Sequence, residues 1–278
     1  MKKHLIFILF ILSSLTGISQ SAEKLLERGR NALINKDYVN AINEFTASLQ
    51  KGESYEAYYS RGISFYSLKD YNKALDDFDS AINIENKGVA YFWKGCTNYQ
   101  LKKYNEALAD LNKATELNYD DSDSLWKMYS YWQLFQFENV ILEATKLITN
   151  SPTEMAYYFR GYSYRQLNNN NSAKQDANTL IDKFPDSHRG YLLIGYLYFD
   201  ERKYDLAIQI LEIALSKDAT KATILHELAR AYYYKKEYTK SLTKINEVIL
   251  IDSNSTYYLF KGRVYYYGLH NTNTSFKT

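Results

Sequence analysis

The residues that come nearest to a catalytic arrangement are His226, Glu227 and Arg230, which follow the start of the zinc-protease pattern His-Glu-x-x-His. In that pattern two histidines four residues apart on a helix bind zinc, and the glutamate acts as general base. Arg230 stands where the second histidine is required. Because that ligand is missing, this metal site is not expected.

Two other stretches begin like functional motifs but lack required residues. Residues 161–165 lack the last glycine of a nucleophile elbow and are expected inside a helix rather than after a strand. Asp120, Asp121 and Asp123 lack the glycine and the closing glutamate of a calcium loop, and are more simply helix N-terminal residues. Without a phosphate-binding glycine loop either, we expect a non-catalytic protein with no metal and no cofactor.

The elements that would position any binding residue are indicated by a regular period. Gly29, Gly62 and Gly95 are thirty-three residues apart, and glycine returns at Gly161, Gly195 and Gly262. Small and aromatic residues keep the same step, and so do the only two prolines. A period of this length predicts a stacked array of repeated units instead of one globular core.

One unit, residues 55–87, contains two helical patterns separated by a turn at residues 69–70. Each pattern is about a dozen residues long, too short for a helix that is stable alone in water. The two helices are therefore expected to form a hairpin that neighbouring hairpins cover. Glycine within a helix costs about 1 kcal/mol relative to alanine. We attribute its recurrence to close approach of the second helix.

The pattern resembles the tetratricopeptide repeat. In the second unit, positions 4, 8, 11, 20, 24 and 27 are occupied by Tyr58, Gly62, Phe65, Ala74, Phe78 and Ala81. In the fifth unit, positions 4, 8, 11, 20 and 32 are occupied by Tyr157, Gly161, Tyr164, Ala173 and Pro185. The resemblance implies an all-α fold, a right-handed superhelical solenoid of antiparallel helix pairs, and a binding scaffold.

The array is expected to cover residues 22–268, followed by a polar tail at 269–278. Seven full units begin near residues 22, 55, 88, 121, 154, 188 and 222, and a partial eighth begins near 255. The fourth unit departs most from the pattern, with Met128 in place of glycine and Val140 in place of alanine. The eighth has a first helix only. It is either a cap, a surface covered by a partner, or the start of a longer array.

In the family, the first helices line the concave face where ligands usually lie. Positions 5, 9 and 12 of these helices form a stripe separate from the packing positions. We call it the first-helix stripe. Its predicted partner-binding residues are Tyr59, Tyr66, Phe92, Tyr99, Tyr129, Trp132, Tyr158, Tyr162, Tyr196, Phe199, His226, Arg230, Tyr233 and Arg263.

Three interpretations of this stripe remain open. The aromatic side chains could bind an extended protein or peptide segment, stack against a glycan or cell-wall fragment, or only fill gaps between helices. Arg230 and Arg263, with His226 nearby, could also hold one anionic group. The chain could further be an accessory or fragment of a larger envelope complex.

The N-terminal residues 1–19 read as a secretory signal peptide. Lys2 and Lys3 precede an apolar run from Leu5 to Leu12 that is too short to span a membrane. We expect an exported chain, periplasmic or secreted, without a membrane span after cleavage. Without the two lysines the formal net charge falls from +2 to 0, which argues against a nucleic-acid partner. Cys96 is the only cysteine, so no intrachain disulfide forms.

Overall fold

The computed structural model describes residues 21–119, 123–217 and 221–269. In these ranges the regular secondary structure is helical and no residue lies in a β-strand. The all-α helical-repeat fold is therefore confirmed. The chain divides into two compact parts, each made of several repeats, the first ending at Gln136 and the second beginning at Phe137. We call these parts the first unit and the second unit, and a single helix pair a hairpin.

The first unit contains seven helices among its described residues. A helix that we call α1 covers residues 21–34. It is followed by α2 (Tyr38–Leu49), α3 (Tyr55–Ser67), α4 (Tyr71–Ile84), α5 (Gly88–Gln100), α6 (Tyr104–Glu116) and α7 (Asp123–Gln133).

The second unit contains eight α-helices and one π-helical turn among its described residues. They are α8 (Phe137–Asn150), α9 (Glu154–Gln166), α10 (Asn170–Lys183), α11 (Arg189–Asp200), α12 (Tyr204–Lys217), α13 (Lys221–Tyr234), α14 (Tyr238–Ile251), α15 (Ser255–Arg263) and the π-helical segment Val264–Leu269.

The turn inside each hairpin places one residue in the left-handed region of backbone space. Lys69 has φ 63° between α3 and α4, and Asn168 has φ 59° between α9 and α10. A residue in this conformation stops the first helix and lets the chain reverse. The next helix then begins within two or three residues, so each hairpin is tight.

Glycine and alanine set the distance between the two helices of a hairpin. A methyl group added to Gly195 on α11 would lie 2.6 Å from Leu211 Cδ2 on α12. Glycine also faces the second helix at Gly29, Gly62 and Gly95, where Phe45, Phe78 and Leu111 fill the space. A large residue of the second helix thus occupies the space that a side chain at the glycine would need.

Several predictions fall on residues outside the described ranges. These are the signal peptide at 1–19, Asp120, Asp121 and the tail from residue 270 onward. Within the described ranges, no helix combines the length and apolar character required to cross a bilayer.

Candidate binding surface

The structure describes all fourteen predicted residues of the first-helix stripe. Phe92 and Tyr196 are buried, with 5% and 7% of their surface exposed, and Arg263 is exposed. The remaining eleven residues are half-buried. Phe92 and Tyr196 can therefore support a binding surface, but neither presents enough area to contact a ligand directly.

Three stripe residues at position 12 have a packing role that recurs along the chain. In the first unit, the Tyr66 ring lies between Tyr71 on α4 and Trp93 on α5, with centroid separations of 5.6 and 5.2 Å. Edge-to-face contacts of this kind stabilise the interior beyond simple area burial. Tyr66 thus joins its own hairpin to the next one.

The same arrangement is found at two further repeats. Tyr99 contacts Tyr104 at 5.5 Å and Trp126 at 5.2 Å in the first unit. In the second unit, Tyr233 contacts Tyr238 and Phe260, both at 5.7 Å. Because each ring is covered by the first residue of its own hairpin's second helix and by the next first helix, position 12 contributes mainly to packing here.

Other stripe residues of the first unit also pack against aromatic neighbours. Tyr59 stacks on Tyr55 with centroids 5.6 Å apart, and burial raises the pKa of the Tyr59 hydroxyl to about 12. Tyr129 lies 6.3 Å from Tyr99. Trp132, at the end of α7, is half-buried as well. The first unit therefore offers ring edges more than open ring faces.

The second unit brings a chain of tyrosines together with an arginine. Tyr158 contacts Tyr162 at 6.3 Å, and Tyr162 contacts Tyr196 at 5.7 Å. The Arg165 guanidinium lies 4.7 Å from the Tyr196 ring centroid and 5.5 Å from that of Tyr162. Cation–π contacts at these distances hold the guanidinium against the two rings.

Asp200, at the end of α11, fixes the orientation of Arg165. The guanidinium donates hydrogen bonds from Nε to Oδ2 at 2.5 Å and from Nη2 to Oδ1 at 2.9 Å. This two-point geometry is specific to the planar arginine group. The Arg165 charge is therefore both neutralised and held in place.

A second arginine, two hairpins further along, is also held by a carboxylate and an aromatic ring. Arg230 Nη1 donates to both carboxylate oxygens of Glu227, at 2.9 and 2.7 Å, and the guanidinium lies 4.5 Å from the Phe199 ring centroid. Glu227 is 6% exposed, and its burial raises the pKa of the carboxyl although Arg230 opposes the shift.

The two arginine pairs belong to one charge network. The charges of Arg165 and Asp200 both act on the pKa of Glu227, the first lowering it and the second raising it. Two cations and two carboxylates give the network a formal charge of zero. This neutral network gives no net attraction for an anionic ligand, so an anion site built from Arg230 and the exposed Arg263 is not favoured.

His226 is enclosed by aromatic rings at the start of this network. It lies 5.1 Å from Tyr257 and 5.6 Å from Phe260 by ring centroids. Glu227 Oε1 is 3.8 Å from Nδ1, but burial and the Arg230 charge outweigh it and lower the pKa of His226 to about 4. The imidazole is therefore neutral at physiological pH.

Sequence reasoning missed the partners that hold the arginines. Arg165 lies on the stripe but was not among the predicted site residues, and Asp200 was not considered. Glu227 was examined only as part of an incomplete zinc motif. One feature of the sequence did point to Arg165: it is an arginine at position 12, where most repeats have an aromatic residue. The described residues contain no cluster of three histidine, cysteine, aspartate or glutamate side chains able to hold a metal ion.

The fold and its repeated first-helix surface define the class of α-helical repeat scaffolds. Family models described as tetratricopeptide repeat match residues 55–87, 88–121 and 158–223. The chain is a tetratricopeptide-repeat protein. Members of this family commonly bind proteins or peptides and are generally non-catalytic. A comparison with curated protein sequences gives no match.

Solved structures of other repeat proteins share the fold. A tetratricopeptide-repeat protein from Parabacteroides merdae is 18% identical, with a TM-score of 0.68 over 88% of this chain and 99% of that one. The C-terminal part of a repeat protein from Cytophaga hutchinsonii is 17% identical, with a TM-score of 0.64 over 84% and 97% of the two chains.

A third similar structure is that of the Cut9–Hcn1 hetero-tetramer of the APC/C. Its matched chain is 19% identical, with a TM-score of 0.59 over 94% of this chain and 52% of that one. At these identities the similarity concerns the fold alone.

Proposed function

We propose that this chain is a non-catalytic scaffold that binds an extended segment of a partner protein on the first-helix stripe of its second unit. The stripe residues that form this surface are Tyr158, Tyr162, Phe199, His226 and Arg230, with Arg165 added from the structure. The family's general role in protein binding supports the class of function, and the geometry of these residues supports the surface.

The observation that carries the proposal is the way Arg230 is held. Only Nη1 of its guanidinium donates to Glu227, so among the described residues Nε and Nη2 have no acceptor. About one third of the Arg230 side chain is exposed, and its guanidinium lies over the Phe199 ring. Two donors to which no described residue offers an acceptor, on a partly exposed side chain, suit a carbonyl oxygen of a bound chain.

The same surface favours an uncharged segment. The arginine–carboxylate network is neutral, so it gives no net attraction for a charged ligand. Burial raises the pKa of the Tyr158 hydroxyl to about 12, so this group adds no charge to the surface. Tyrosine rings supply contact area at low entropic cost. We therefore expect main-chain carbonyls and apolar side chains of the partner to make most contacts.

Export is a further part of the proposal. It rests on the basic and apolar pattern of residues 1–19 alone. In this view the partner is a periplasmic or secreted protein. Detection of the mature chain in the exported fraction, with an N-terminus near residue 20 by mass spectrometry, would test it. A chain that retains residues 1–19 inside the cell would contradict it.

The binding surface can be tested with a display library of random twelve-residue peptides selected on the purified protein. Affinities of the selected peptides would be measured by calorimetry for the wild type, Tyr162→Ala and Arg230→Lys. Arg230→Lys keeps a cation beside Glu227 but loses the flat contact with Phe199. We expect both variants to bind at least about tenfold more weakly, corresponding to 1.4 kcal/mol.

The matched control is Gln209→Ala, an exposed residue on the second helix α12. It should leave peptide affinity unchanged. Equal loss in all three variants, or no selected peptide at all, would contradict the proposal. Binding to a glycan array without any peptide ligand would favour the carbohydrate alternative on the same aromatic surface.

A further inference from the structure

The last first helix of the described chain, α15, has a glycine whose neighbouring space is empty. At Gly95 and Gly195, a leucine of the second helix fills the space next to the glycine: Leu111 in one hairpin and Leu211 in the other. Gly262 on α15 holds the same repeat position, yet no atom of the described residues lies within 4 Å of a methyl group added there. The surface that receives a second helix elsewhere is therefore open at α15.

The residues around Gly262 form one apolar face that points to solvent. Leu259 is 75% exposed and Tyr266 is 65% exposed, and Tyr258 and Tyr265 flank them with about half of their surface exposed. The opposite face of the same segment packs on α14, where Val264 is fully buried. We call Tyr258, Leu259, Gly262, Tyr265 and Tyr266 the α15 outer face.

The area of this face suits a protein–protein interface. Full aromatic side chains offer roughly 150–250 Å², so the outer face exposes on the order of 500 Å² of mostly apolar surface. The outer face alone supplies more than half of the roughly 800 Å² that each partner contributes to a standard interface.

We infer that the α15 outer face is the interface of a two-fold homodimer, in which α15 of each copy takes the place that a second helix takes in the other hairpins. The second helix of a hairpin runs antiparallel to the first. A two-fold axis crossing α15 brings a second copy in with that same direction. The bound helix is then a copy of α15.

The face is complementary to itself. Leu259 projects from the helix, and Gly262 leaves a space three residues further along the same face. A two-fold axis between them places Leu259 of each copy next to Gly262 of the other, as Leu111 and Leu211 fill glycine positions within hairpins. The contact between Leu259 and Gly262 then occurs twice, once on each side of the two-fold axis, as in an isologous interface.

The helix dipoles favour the same antiparallel arrangement. A two-fold axis places the dipoles of the two α15 helices in opposite directions, which is favourable.

The tail of the chain is a poorer occupant by its sequence. Residues 270–278 contain one large apolar side chain, Phe276, and no helical apolar period. A helix with a single apolar residue cannot cover the four large side chains of the outer face. A second copy supplies these side chains from the same face.

Sedimentation equilibrium of the purified protein, over about 1–100 μM, tests the dimer, since standard interfaces span micromolar and tighter affinities. The wild type is expected to be dimeric. Leu259→Asp places a charge in the interface, and Gly262→Leu fills the space that Leu259 needs. Both variants are expected to weaken dimerisation at least a hundredfold and to retain the helical circular dichroism of the wild type.

The matched control is Leu142→Asp, an exposed leucine on α8 that lies outside the outer face. It should remain dimeric. The inference is overturned if the wild type is monomeric at 100 μM, or if it dimerises equally in all variants. A monomer that dimerises only after removal of residues 270–278 would identify the tail as the occupant and would also overturn it.

Discussion

Arg160 on α9 and Asp176 on α10 form a two-point ion pair that joins the two helices of one hairpin. Nε and Nη2 of the guanidinium donate to the carboxylate at 2.9 and 2.7 Å. Arg61 and Asp77 make the same pair in the first unit, at 2.8 and 2.7 Å. A contact that recurs at equivalent repeat positions is a structural element of the hairpin, and its strength can be measured.

Replacing Arg160 by isoleucine leaves Asp176 without its partner. Asp176 is 3% exposed, so the uncompensated carboxylate should cost about 3 kcal/mol of unfolding free energy. The double variant Arg160→Ile with Asp176→Ile should recover most of that loss, because the chain already carries Ile194 and Ile210 at these positions of the next hairpin. Urea unfolding of the single and double variants measures this. Equal loss in both would contradict the explanation.

Two glycines at the same repeat position should respond to alanine in opposite directions. Gly195→Ala places a methyl group 2.6 Å from Leu211 Cδ2, and the fully packed leucine has little room to move. We expect a loss of about 1–3 kcal/mol from overpacking. Gly262→Ala meets no neighbouring atom, so it should stabilise α15 by up to about 1 kcal/mol through helix propensity.

Thermal unfolding at low protein concentration would compare the two glycine variants in the monomer. If Gly195→Ala were more stable than the wild type, the two helices of this hairpin could move apart without cost, which would contradict the overpacking explanation.

Tyr66 should act through its ring and not through its hydroxyl. Tyr66→Ala removes contacts with Tyr71 and Trp93 and is expected to destabilise the first unit by about 2–3 kcal/mol. Tyr66→Phe should change stability by less than about 0.5 kcal/mol, because the nearest side-chain donor, Gln100 Nε2, lies 3.5 Å from the hydroxyl. Amide hydrogen exchange of α3 and α5 reports the local loss. A large effect of the phenylalanine variant would overturn this assignment.

His226 should make the second unit sensitive to mild acid. Its folded-state pKa of about 4 lies below the ordinary histidine pKa of 6.5, so between these pH values the unfolded chain binds more protons. Stability contributed by neutral His226 is therefore complete above pH 6.5 and is lost as pH falls towards 4. The loss amounts to about 2–3 kcal/mol.

The control for this titration is His226→Phe, which keeps an aromatic ring beside Tyr257 and Phe260. Its unfolding free energy should decline less than that of the wild type between pH 6.5 and 4. Parallel declines would show that other groups, and not His226, cause the acid sensitivity.

The helical-repeat fold and the repeat family could be predicted from the sequence alone. Both follow from a regular period, in which glycine and alanine recur where the two helices of a hairpin cross. The same period placed Tyr66, Tyr99, Tyr162 and Arg230 on one stripe of the first helices. The export signal at residues 1–19 and the identity of the partner remain predictions.

Which stripe residues are covered follows from the packing of neighbouring helices. Tyr66 is enclosed because the following first helix carries Trp93, whereas Phe199 packs on Tyr204 and Tyr234 and also lies beneath the Arg230 guanidinium. Burial of one ring depends on a residue of the next hairpin. The repeat period is the same in both hairpins, so it does not show which residues will be in contact. The arginine–carboxylate network and the open Gly262 surface have the same origin, since each depends on what the neighbouring helix supplies.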